Sequence, residues 1–145
     1  MRYAMVAVVL GVGFVLAAVH TFGQQSIATD SRSSIAADSR AFELRTYTAA
    51  PVKLEALHAR FRDHTNGLFK QHGMAVVGYW VPTDKPDTLV YLLVHPSRAK
   101  AAEAWKSFGA DPDWVTARKA SEVNGSLTVK VESVFMSATD YSPLK

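Results

Sequence analysis

The 145-residue chain contains no cysteine. That excludes disulfides, thiolate metal sites, a thiol nucleophile and a lipidated N-terminal Cys, while leaving the compartment open. An excess of one charge is also missing. Lys and Arg number 16 and Asp and Glu 13, a formal +3. No run of basic residues is present to track phosphates, which excludes nucleic acid as the main partner. There is no GxSxG nucleophile elbow, no phosphate loop and no dinucleotide fingerprint, so no cofactor is expected. Gly11-Val12-Gly13 falls in an apolar N-terminal run and counts for nothing here.

Metal-ligand spacing is absent too. The histidines are His20, His58, His64, His72 and His95. No HExxH and no HxxxH pair occurs, so no two imidazoles lie one helical turn apart. His64 and His72, on one expected helix, are about 12 Å apart along its axis. No metal site is expected.

What is present is an ordinary globular composition: 48% hydrophobic and 20% charged residues, in a length suited to one domain. The first 28 residues stand apart. Arg2 is their only charged residue, and Ala4–Val19 is an uncharged apolar run of sixteen. A bilayer span needs about 20 residues, and this run is closer to the core of a signal peptide. Thr21-Phe22-Gly23 and Ser26-Ile27-Ala28 offer small-x-small cleavage sites. Residues 1–28 are expected to be an export signal, directing the protein to the periplasm or the medium; an uncleaved anchor is the other reading. SIATDSR at 26–32 repeats as SIAADSR at 34–40. Too short for a structural repeat, it reads as part of a flexible linker, residues 29–41.

The folded domain is expected over 42–145. Phe42–Thr48 alternates as a strand, with Phe42, Leu44 and Thr46 on its apolar face and Glu43, Arg45 and Tyr47 on the other. Pro51 is expected to open a helix running to His72, through Asn66-Gly67, and Gly73 to cap it. Met74–Val81 and Thr88–His95 form a hairpin. Ser97 starts a helix, Arg98–Phe108, with Ala99, Ala102, Trp105 and Phe108 inward and Gly109 breaking it. Asp111-Pro112 restarts a helix as cap and first residue, and Asn124-Gly125 ends it. Ser126–Met136 is the last strand, with Leu127, Val129, Val131, Ser133 and Phe135 on one face.

The order β-α-β-β-α-β is that of the ferredoxin-like α+β fold, a sheet with helices on one face. The third strand would be central, and Leu89–Val94 is apolar on both sides. Helices cover one sheet face only, so something else must cover the other. A second copy is the natural cover in so short a chain. The expectation is a homodimer packed sheet to sheet, with Glu43, Arg45, Lys130 and Glu132 as paired charges on the shared inner face.

FELRTY at 42–47, a Pro shortly after, Arg60-x-x-x-His64, HGMAVVGYW at 72–80, YLLVHPSR at 91–98 and Trp105-x-x-Phe108-x-x-Asp111-Pro112-x-Trp114 occur in order. Together they resemble the NIPSNAP family, over nearly all of the chain beyond residue 42. The resemblance implies a dimeric α/β-barrel of ferredoxin-like halves, similar in fold to cofactor-free monooxygenases, haem-degrading enzymes and small-ring isomerases. It implies no agreed chemistry. The family usually has Pro-Gly after the first strand. Here Pro51-Val52 stands instead, so a turn relying on Gly is expected to be built differently.

Candidate site residues follow from the pocket such folds form between sheet and helices. His64 and His95 are the candidate acid–base groups. Tyr47, Tyr79, Trp80, Tyr91 and Trp105 are candidate pocket walls, aromatic residues that equally suit a core. The expected function is binding of a small apolar or aromatic molecule. The alternatives are a cofactor-independent monooxygenase or isomerase using a histidine base, and haem binding through a histidine.

Overall fold

Why charged residues sit inside this domain is answered by its first strand, β1 (Ala41–Ala49). The computed structural model describes residues 40–145. The expected export signal lies outside them, as does the linker except for Arg40 and Ala41, where β1 already begins. After β1 come three continuous helical segments, Leu54–Arg60, Phe61–Thr65 and Asn66–Gln71, together α1. The hairpin β2 (Ala75–Trp80) and β3 (Thr88–His95) follows, then α2 (Arg98–Ala110), α3 (Pro112–Ser121) and β4 (Thr128–Met136). The four strands form one antiparallel sheet in the order β2-β3-β1-β4. This is the ferredoxin-like α+β fold expected from the sequence.

The local signals act largely as their chemistry dictates. Ser97 Oγ accepts from Lys100 N at 3.1 Å to start α2, and Asp111 Oδ1 accepts from Asp113 N at 2.8 Å to start α3. Gly73 stops α1 with φ of 70°, a conformation that favours glycine. Four expectations are corrected. α1 starts at Leu54, not Pro51, because Pro51 and Val52 form a turn. That turn is not rebuilt for the missing glycine: fully exposed Val52 adopts φ of 58° itself. α2 runs through Gly109 to Ala110, since a glycine near a helix end costs only about 1 kcal/mol. Its inward residues are Ala101, Ala104, Trp105 and Phe108, rather than Ala99 and Ala102.

The largest correction concerns which sheet face the helices cover. Leu57, Phe61, Leu68 and Phe69 of α1 and Phe108 of α2 pack on Ala49, Leu89, Tyr91 and Leu93. Side chains alternate along a strand, so this face also carries Glu43, Arg45 and Tyr47. Register extends it to Phe135, Ser133 and Val131 on β4, opposite those three residues. Glu43 and Arg45 therefore lie beneath the helices. Lys130 and Glu132 pair with each other at 2.8 Å, aligned with Thr48 and Thr46 on the opposite face. The expected sharing of one face by all four charges does not occur.

Candidate functional site

A cavity of about 300 Å³ lies between the sheet and the helices. Arg45 and Tyr47 of β1 form part of its floor, and Arg60, Phe61, Thr65, Phe69, Trp105 and Trp114 come from the helices. The middle of α1 is built for this. Phe61–Thr65 forms π-type turns, which insert an extra residue and often mark functional positions. Thr65 Oγ1 donates to the Arg60 carbonyl at 3.2 Å. Arg60, Phe61 and Thr65 are all buried and all line the cavity.

Beneath Arg45 lies a carboxylate with no solvent exposure. Four donors converge on Glu43. Arg45 Nη1 donates to Oε1 at 2.9 Å and Ser133 Oγ at 2.7 Å; Trp105 Nε1 donates to Oε2 at 2.6 Å and His95 Nε2 at 3.0 Å. Burial alone would raise the Glu43 pKa. The bonds from His95, Ser133, Trp105 and Arg45 outweigh it and hold the carboxyl down at about 2. The Arg45 guanidinium lies 4.4 Å from the centre of the Trp105 ring, so Trp105 both covers the arginine and bonds to its counter-ion.

Arg45 Nη2 also donates to Tyr47 Oη at 3.0 Å, and the Tyr91 hydroxyl lies 3.0 Å from the same oxygen. Tyr91 is fully buried and burial pushes its pKa well up, so it stays a hydroxyl. Tyr47 Oη is the hydrogen-bond partner of its O–H. Tyr47 thus accepts two bonds, which fills its lone pairs and leaves its own proton free to donate. On the far side Arg60 Nη1 donates to Glu122 Oε1 at 2.8 Å, and its guanidinium lies 5.3 Å from the centre of the Trp114 ring.

The sequence-predicted residues divide by position. Tyr47 and Trp105 line the cavity, and Tyr91 lies directly behind Tyr47. Tyr79 packs against Phe61 and Tyr91 and donates to Asn66 Oδ1; burial raises its pKa to about 12. Trp80 aligns with Val90 on the uncovered sheet face and is 51% exposed. Gly78 makes room for it, since a Cβ there would lie 2.9 Å from the Trp80 ring. His95 is buried against Glu43, with Nδ1 lacking a hydrogen-bond partner among the described residues. His64 is exposed in a separate surface groove with Asp63 and Asp113. Neither histidine is among the residues lining the cavity.

Sequence reasoning did not single out Glu43, Arg45, Arg60 or Trp114 for the site. The register held a signal for the first two: on β1 they share the face of Tyr47, and that face meets Phe135, Ser133 and Val131 of β4. It also gave no warning of a hydroxyl–imidazole–carboxylate chain. His72 Nδ1 lies 2.8 Å from Ser107 Oγ, and His72 Nε2 lies 2.7 Å from Asp111 Oδ2. Ser107 lies within α2, where nearby backbone N–H groups serve the helix rather than an oxyanion. The chain of bonds ties the ends of α1 and α2 to the cap of α3. A larger groove of about 660 Å³ follows the turn at Pro51 and Val52, but its ionisable side chains, Glu55 and Asp87, are exposed.

The NIPSNAP family model matches residues 42–143. The chain is a member of the NIPSNAP family. Among solved structures it is similar to a NIPSNAP family protein of unknown function from Agrobacterium tumefaciens, with 23% identity, TM-score 0.65, and coverage of 74% of this chain and 96% of that one. A NIPSNAP-like domain protein from Burkholderia xenovorans is 16% identical, with TM-score 0.64, covering 73% and 90%. A cofactor-independent oxygenase from Streptomyces nogalater, SnoaB, shares the fold at 17% identity and TM-score 0.52, covering 72% and 98%. No curated protein matches the chain. The Pro51-Val52 turn therefore lies within a NIPSNAP domain, with Val52 in the left-handed conformation.

Proposed function

We propose that this NIPSNAP protein binds a small aromatic molecule in the cavity between sheet and helices. The observation that carries this reading is the lining itself: Phe61, Phe69, Trp105 and Trp114 supply ring faces to a cavity that Arg45, Tyr47, Arg60, Thr65 and Glu122 make largely polar. Ring faces beside convergent polar groups suit a small aromatic molecule carrying polar substituents. Its volume is about twice that of a cavity known to take benzene, so it suits a ligand of one or two rings.

Cofactor-independent oxygenation or isomerisation is the weaker reading. A general base must reach the ligand, and His64 and His95 do not line the cavity. The carboxylate that does, Glu122, is bound by Arg60 and Arg118. Burial raises its pKa, but those two arginines lower it further, which makes it a poor base at neutral pH. A haem ligand meets the same difficulty, since no histidine lines the cavity.

We also propose a homodimer through the uncovered face, where Leu44, Leu92, Val94 and Val134 adjoin in register, and export directed by residues 1–28. Val134 and Trp80 are exposed on that face in a single chain, an apolar surface that favours a partner. The ligand reading is tested with neutral two-ring compounds, 2-naphthamide and menadione, by thermal shift and tryptophan quenching. Binding raises Tm, since ligand favours the folded state, and Trp105→Phe weakens the quench. No shift with either compound at millimolar concentration counts against the cavity as an aromatic site.

A further inference from the structure

The donor inventory of the cavity goes further than its shape. Arg45 and Arg60 both line it. Each has a buried Nε–H with no acceptor among the described residues. The Arg60 side chain is only 5% exposed. Leaving a buried charged donor unpaired is costly, and native structures rarely do so without reason. The Tyr47 proton is a third free donor, because both lone pairs of its oxygen are already taken.

Charge points the same way. Arg45, Arg60 and Arg118 border the cavity with Glu122, and Glu43 balances Arg45 from below. Three guanidiniums against two carboxylates leave one positive charge in excess. The polar groups thus supply donors and positive charge, while the walls supply ring faces.

Resting on the aromatic-site reading above, we infer that the ligand is an aromatic monoanion, a ring carboxylate. One of its oxygens takes the proton of Tyr47 Oη, and its charge faces the Arg45 and Arg60 guanidiniums that line the cavity. Its ring packs against Trp105 and Trp114. A guanidinium paired to a carboxylate bonds more strongly than a neutral donor does, so the acid is preferred over its neutral isostere.

The test compares 2-naphthoate with 2-naphthamide on the full-length chain by calorimetry. The acid is expected to bind at least about tenfold tighter, the size of effect that one hydrogen bond to a charged group carries. Arg60→Gln and Tyr47→Phe should each weaken naphthoate by a larger factor than naphthamide, narrowing the gap between acid and amide. If Arg60→Gln does not fold, Tyr47→Phe decides, since it removes one hydroxyl only. Equal affinity for acid and amide overturns the anion inference while leaving the aromatic site standing. Failure of both compounds to bind overturns both readings.

Discussion

The two faces of the sheet are built on opposite plans. The face beneath the helices holds Glu43, Arg45, Tyr47, Tyr91 and His95, a connected polar network. The face away from them aligns Leu44 with Leu92 and Val134, and Phe42 with Val94 and Met136. Within one chain the more polar face is thus the better buried. The difference teaches that polarity alone does not say which side of a strand is interior. A buried charge is acceptable where its partners are complete, and Glu43 has four donors. An apolar face is acceptable outside where another surface is to cover it.

The sharpest way to break the comparison is at Glu43. Glu43→Gln keeps the shape but removes the charge and turns an amide N–H₂ toward a group of donors. A loss of about 3–5 kcal/mol in urea denaturation is expected, as for other broken buried ion pairs. A loss below about 1 kcal/mol would make the network energetically idle. The same residue sets an acid dependence. Its folded pKa is lowered from 4.5 to about 2, so the stability it confers is complete above its unfolded pKa and fades as pH falls toward about 2. The variant should lack that part of the acid profile.

On the other face, Leu92→Asp should leave the monomer folded and weaken self-association by about a hundredfold or more. Each dimer carries the change twice, and each buried leucine contributes about 1.5–3 kcal/mol. Sedimentation equilibrium reads it, and a mass unchanged from the parent would show that the outer face is not the interface. The smallest expected effect lies off both faces, at the turn leading from β1. Val52→Gly relieves a left-handed backbone that costs a side-chain-bearing residue about 1–2 kcal/mol. Part of that gain is lost to the greater freedom of glycine when unfolded, so an increase of about 0.5–1 kcal/mol is expected in denaturation.

The fold was legible because its signals are local: Asp111-Pro112 caps a helix and β3 spans Thr88–His95 as its apolar run predicts, although α3 stops at Ser121, ahead of the Asn124-Gly125 expected to end it. The orientation of β1 was not, because both of its faces have a claim to the interior and local polarity favours the wrong one. Only pairing with β3 and β4 settles it, and pairing is long-range. Arg60 was visible as part of a motif but not as a cavity residue. Its position depends on π-type turns, and periodicity over α1 averages such a local expansion away. The helix face of α2 was misassigned because its alanines, found on both sides, leave Trp105 and Phe108 to define the stripe.

The four donors on Glu43 come from β1, β3, α2 and β4. A strand slipped by one residue presents its opposite set of side chains. Were β1 to slip against either neighbour, Leu44 would take the place of Glu43 among His95, Trp105 and Ser133, and Glu43 would face outward with Arg45 alone. A hydrophobic interior forgives small misalignments, whereas a carboxylate with four directional partners admits one alignment alone. Glu43 thus serves as an index mark for the sheet, at which three neighbouring segments must arrive in step with β1.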